Sequence, residues 1–139
     1  MNKIDPIKLG IIWKRLNGMI DEVAESFIRS SFSAVVRENY DMAFSLLDVH
    51  GRQFIQTKKS IPSFIGTLPH TLKEILKKIP ADQFSEGDVV ISNDSWLGTG
   101  HLNDITMVAP IFKNKKLIAF AGSTAHTVDI GGTVTKCSR

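Results

Sequence analysis

The sequence predicts one α+β domain, a long N-terminal helix followed by a mixed or antiparallel sheet with a short helix. Three observations predict it. Apolar residues recur at helical spacing from Ile12 to Ile28. Short apolar runs bounded by turn residues then follow, two pairs of them at hairpin spacing. The strands do not alternate with helices in the regular way of a doubly wound parallel sheet.

The first helix opens at Asp5-Pro6, where a carboxylate can cap free N–H groups and the proline's missing N–H costs nothing. Ile12, Leu16, Met19, Ile20, Val23, Ala24, Phe27 and Ile28 share one face. Lys14, Arg15, Asp21, Glu22, Glu25 and Arg29 fall mostly on the other. Gly10 and Gly18 weaken this helix without stopping it, and it is expected to run to about Ser31.

Tyr40–Asp48 then reads as a strand built on Met42-Ala43-Phe44-Ser45-Leu46-Leu47, with a turn at Val49–Arg52 and a short return strand over Gln53–Thr57. Pro62 and Gly66 mark a loop. A helix over Pro69–Ile79 places Leu72, Ile75, Leu76 and Ile79 on one face, and Pro80 closes it. Glu86-Gly87 turns the chain into a strand over Asp88–Ser92. Ile105–Phe112 and Leu117–Ser123 form a hairpin about the charged turn Lys113–Lys116.

Composition narrows the function. A chain of 139 residues with 42% hydrophobic content can bury one core, so residues 1–139 read as one domain. Charged residues of mixed sign, 22% of the chain, argue against disorder. The net charge is +3, and the lysines sit in short scattered groups, not on one basic face, which argues against nucleic acid. The single cysteine, Cys137, excludes an internal disulfide or a cysteine-based zinc site. No apolar run approaches the ~20 residues of a membrane span, and Met1–Pro6 has no apolar signal-type segment. The expectation is a cytoplasmic, soluble chain. There is no G-x-x-x-x-G-K-[ST] motif, so the chain shows no nucleotide site of its own.

Chemistry is concentrated in two loops, Ser92–Asp104 and Ala125–Gly132. Asp104 opens the outgoing strand of the last hairpin, and His126 follows the end of the returning one. Antiparallel pairing brings those two ends together, with His101 close by. Two imidazoles and a carboxylate suit a divalent metal with open positions, with iron, manganese and zinc all admissible. Asn93, Asp94 and Asp129 are available as partners that orient such ligands or bind substrate. The same residues also admit plainer roles. His101 can cap a turn, Asp104 can be an ordinary Asx-turn residue, Asp129–Gly132 can be a plain tight turn, and Trp96 is read as a packing residue. His50 and His70 read as structural or solvated.

These residues resemble the hydantoinase B family, which comprises the B subunits of ATP-dependent hydantoinases, the matching half of 5-oxoprolinases, and the α subunits of acetone and acetophenone carboxylases. The resemblance runs through Ile12–Leu16, Phe32–Glu38, Asp41–Asp48, Gly51-Arg52, Gly66–Pro69, Glu86–Asp94, Gly100–Asp104 and Ala125–Gly132. It implies an enzyme subunit that hydrolyses a cyclic amide such as hydantoin or 5-oxoproline. The ATP is bound by a hydantoinase A-type partner. By the same resemblance, His101, Asp104 and His126 are the ligands of a divalent metal. The ketone carboxylase branch is the alternative activity, and a silent or docking remnant is a third. Two departures stand out, Ser95-Trp96 where relatives often carry Pro-aromatic, and Thr127 where many carry a second histidine. Relatives continue for several times this length, so the chain is expected to be the N-terminal part of a larger fold, from a truncated or split reading frame.

Overall fold

In the computed structural model, which describes residues 5–64, 66–129 and 131, helix α1 (Pro6–Ser30) starts where its sequence dictates. The Asp5 carboxylate accepts the Ile7 N–H at 2.9 Å, with proline at the first helical position. Among the described residues, only part of its apolar stripe finds a partner. Ile20 and Ala24 are buried, whereas Ile7, Ile11, Ile12 and Trp13 toward the start are exposed.

A short helix α2 (Ala34–Asn39), which the sequence reading did not include, follows directly. The Ser33 hydroxyl accepts the Val36 N–H at its start, and Tyr40 ends it in a left-handed conformation at φ 55°. Six residues are under two turns, too few for a hydrophobic period to show. Val36 alone of its residues is buried.

Strands β1 (Met42–Leu47) and β2 (Gln53–Gln56) form the expected hairpin. Asp48 closes its turn by accepting the N–H groups of His50 and Arg52, and its other oxygen takes the Arg52 Nε–H at 2.6 Å. Gly51 is required there: at φ 74°, an added Cβ would lie 2.9 Å from Lys73 Cγ. Helix α3 (Thr67–Lys78) begins just before Pro69, with Gly66 entering at φ 84°. Then come β3 (Val90–Ser92), β4 (Asp104–Lys113) and β5 (Lys116–His126).

The sheet order is β2-β1-β5-β4-β3 and every pairing is antiparallel. β5 is therefore central, held by the last hairpin on one side and by β1 on the other. Pro110 is tolerated inside β4 because β3 reaches only as far as Val108, so no ladder bond is asked of it on that side.

Side-chain alternation sorts the two faces. Met42 and Phe44 turn toward α1 and α2, packing with Ala24, Val36 and Phe27, and the Phe27 and Phe44 rings meet edge to face at 5.3 Å. Leu47, Val108 and Phe120 turn the other way and meet Leu72, Ile75 and Phe84. Each such buried side chain contributes roughly 1.5–3 kcal/mol. Gly122, opposite Ser45, lets Leu47 and Leu68 close over the sheet, since a Cβ there would sit 3.1 Å from both. α1 is tied down at its middle by Asp21, which accepts the Lys58 N–H at 3.0 Å, and by the Glu25–Lys59 ion pair. No helix among the described residues is long and apolar enough to cross a membrane.

Candidate functional site

The first residue of β4 and the last of β5 lie directly opposite each other, Asp104 against His126. The ladder itself thus delivers a carboxylate and an imidazole to one spot on one face. Asp104 is only 4% exposed. Its Oδ1 lies 2.9 Å from His126 Nδ1, in hydrogen-bonding geometry. Its Oδ2 lies 3.1 Å from His101 Nε2, yet it is buried and has no aligned hydrogen bond. The two imidazole rings stand 5.3 Å apart at 62°. One donor atom from each of His101, Asp104 and His126 lies within 4.8 Å of the others.

His101 comes from the loop between β3 and β4, and that loop is pinned at several points. The Thr71 hydroxyl of α3 donates to the Leu97 carbonyl at 2.5 Å. The Asn93 side chain donates to the Leu102 carbonyl at 3.4 Å. Both the N–H and the hydroxyl of Thr127 donate to the Asn103 carbonyl, at 2.8 and 2.7 Å. Gly100, at φ 98°, supplies a conformation that other residues rarely adopt. Behind the cluster, the Thr106 and Thr124 hydroxyls bond across the strands at 2.9 Å, both buried.

The structure brings together the three residues expected to converge. The others are placed more locally. Asp94 accepts the Trp96 N–H, and Asp129 accepts the Gly131 N–H, each an Asx turn at 2.9 Å. Asn93 secures the His101 loop, as above. Trp96 is 90% exposed, so it is not the packing residue that its size suggested. Ile130, Gly132 and Cys137 lie outside the described residues.

One residue at the site escaped the sequence reading. Asp41, just ahead of β1, lies beside His126 because β1 pairs with β5 in the register Met42 opposite Ala125. Its carbonyl accepts the His126 N–H at 3.0 Å, and its carboxylate lies 3.9 Å from His126 Nδ1. Burial pushes the Asp41 carboxyl above the usual carboxylate value; His126 pulls it down, and Asp104 pushes it up again. The only signal in the sequence was an aspartate opening an apolar strand. That signal becomes informative once the partner strand is known.

The cluster fits a divalent cation on two counts. Two imidazoles and a carboxylate are the donor set of open catalytic metal sites. Asp104 Oδ2, buried and without a hydrogen bond, is the kind of orphaned acceptor that a cation satisfies. Ligand bonds of about 2.0–2.2 Å require the three side chains to draw in slightly from their present spacing.

Comparisons with known proteins agree along almost the whole chain. The family model described as Hydantoinase B/oxoprolinase matches residues 5–138. A protein of Pseudomonas sp. (strain NS671), provisionally named as the B component of a D-/L-hydantoinase, is 33% identical over 135 residues, covering 96% of this chain and 23% of its own. The crystal structure of ATP-dependent caprolactamase from Pseudomonas jessenii matches with a TM-score of 0.83 at 28% identity, over 96% of this chain and 23% of that one. A nucleotide-free acetone carboxylase structure shares the fold, with a TM-score of 0.79 at 24% identity, over 90% of this chain and 16% of that one. The chain thus spans less than a quarter of the length of these relatives. It belongs to the hydantoinase B/oxoprolinase family.

Proposed function

We propose that this chain supplies the metal-holding segment of a cytoplasmic hydantoinase B-type enzyme component that, with an A-type partner, hydrolyses a cyclic amide using ATP. The observation that carries this reading is the convergence of His101, Asp104 and His126 around a buried, unsatisfied carboxylate oxygen. The substrate class is supported by the relatives, since hydantoin, 5-oxoproline and caprolactam are all cyclic amides. ATP dependence is supported by the caprolactamase and acetone carboxylase neighbours, and the chain has no phosphate-cradling glycine motif of its own.

His101, Asp104 and His126 would hold manganese, iron or zinc. Such a metal, when bound, polarises a substrate oxygen or lowers the pKa of a water. The chain's own residues set the rest. Asp104 Oδ1 holds His126 through Nδ1, which fixes the ring's orientation and tautomer. The Asp41 carboxylate lies 3.9 Å from the same nitrogen, and its carbonyl holds the His126 backbone N–H. Asn93 and Asp94 shape the loop that presents His101, and Asp129 shapes the turn that follows His126.

The reading is tested by replacing the matching segment of the Pseudomonas jessenii caprolactamase with this chain. The chimera, purified with its partner subunit, is assayed with caprolactam, hydantoin and 5-oxoproline. ATP-dependent ring opening of at least one of them, lost in His126→Ala, is the expected result. An assembled chimera that opens none of them contradicts the reading.

A further inference from the structure

Five strands about 4.8 Å apart span about 19 Å, whereas one helix is only about 10 Å wide. α1 packs against β1 and β2 and α2 reaches β5, so among the described residues the same face stays open mainly over β4 and β3. The open strip is apolar: Ile91 is 61% exposed, Val89 51% and Met107 40%. Between strip and helix runs a cavity of about 360 Å³. Leu16, Met19 and Val23 of α1 make its wall, at the three-and-four spacing of one helical stripe, and Phe44, Met107 and Ala121 lie in its floor. The His101–Asp104–His126 cluster lies elsewhere, because His126 shares the face of Phe120 and Thr124, whereas Ala121 and Ser123 point the opposite way.

The size of this cavity suits a small ligand, but such sites place a few polar groups to orient what they bind. Among the described residues no charged side chain lines the cavity, and the polar ones that do are Ser45 and Ser123. An apolar strip beside a half-used helix stripe instead matches a missing structural layer. The relatives contain polypeptide to fill it, since this chain corresponds to only 23% of the caprolactamase chain and 16% of the acetone carboxylase chain.

We infer that the strip seats an amphipathic helix from the remaining polypeptide of a hydantoinase B-type fold, lying beside α1 with its apolar stripe in the cavity. The inference rests on family membership and on the fold. It does not depend on the metal site.

The test places the photo-crosslinking residue p-benzoylphenylalanine at Met107 of the 139-residue chain, with His50 in the exposed β1–β2 turn as control position. Each labelled chain is mixed with the Pseudomonas jessenii caprolactamase polypeptide that lies beyond the matched segment, irradiated and mapped by mass spectrometry. Crosslinks from position 107, but not from position 50, should fall in one helical segment of that polypeptide. Met19→Glu, which puts a charge in the cavity wall, should reduce their yield at least several-fold while leaving the circular dichroism spectrum unchanged. Crosslinks solely between copies of this chain would make the strip a self-association face and overturn the inference. So would an absence of crosslinks to the soluble, folded polypeptide. Metal content, measured on the same samples, reports separately on the proposed function.

Discussion

On the α3 side of the sheet, Leu47, Leu72, Val108 and Phe120 are each 1% exposed or less. On the α1 side, Met107, Val89 and Ile91 face solvent beside a helix whose first half is exposed. The same strands build both faces, so the difference lies in what covers them. α3 and the segment carrying Phe84 close one face with residues of this chain, and the polar cluster sits at the end of that closed face. α1 closes only part of the other. A site on the closed face can therefore be rigid even though the opposite face is left open.

The sharpest way to break this comparison is to truncate one side chain on each face. Phe120→Ala removes a fully buried ring that meets Phe84 edge to face at 5.2 Å. It should cost about 3–5 kcal/mol, enough to unfold much of a marginally stable domain. Met107→Ala on the open face should cost well under about 1 kcal/mol. Urea unfolding of the two variants makes the measurement, and equal losses would mean the faces are not different in kind.

A smaller effect sharpens the link between the closed face and the site. Thr71→Val keeps the side chain's volume but removes the hydroxyl that holds the Leu97 carbonyl. The loss should be about 1 kcal/mol. Hydrogen exchange should rise through the loop that carries His101 while α3 stays protected. Unchanged exchange in that loop would show that α3 does not position it.

The smallest effect concerns Asp41. Burial raises its carboxyl in the folded state, so its contribution favours folding at low pH and is lost as pH rises through the folded-state value. Asparagine carries no such charge. Asp41→Asn, compared with the parent by thermal unfolding with chelator present, should therefore gain in relative stability as pH rises through the acidic range. A constant difference across that range would show that Asp41 is not held in an environment hostile to its charge.

Much of this arrangement was legible in the residues. The Asp5-Pro6 start, the hairpin at Gly51 and the charged turn at Lys113–Lys116 are local, and local rules locate them. The convergence of Asp104 with His126 was legible for the same reason: a hairpin between adjacent strands fixes which ends meet. Asp41 was not legible, because its place depends on β1 pairing with β5 across most of the chain. α2 was too short to show a period. The exposure of Trp96 and of the early residues of α1 could not be read either. An apolar residue at helical spacing says which face seeks a partner, not whether this chain provides one.

The most direct measurement is the metal content of the purified chain by elemental analysis, repeated for His101→Ala and His126→Ala. Near-stoichiometric manganese, iron or zinc in the parent, lost in both variants, is the predicted result. It would show that the closed face holds a working metal site within this chain. A folded parent that retains no metal after incubation with each of the three would contradict the assignment of His101, Asp104 and His126 as ligands.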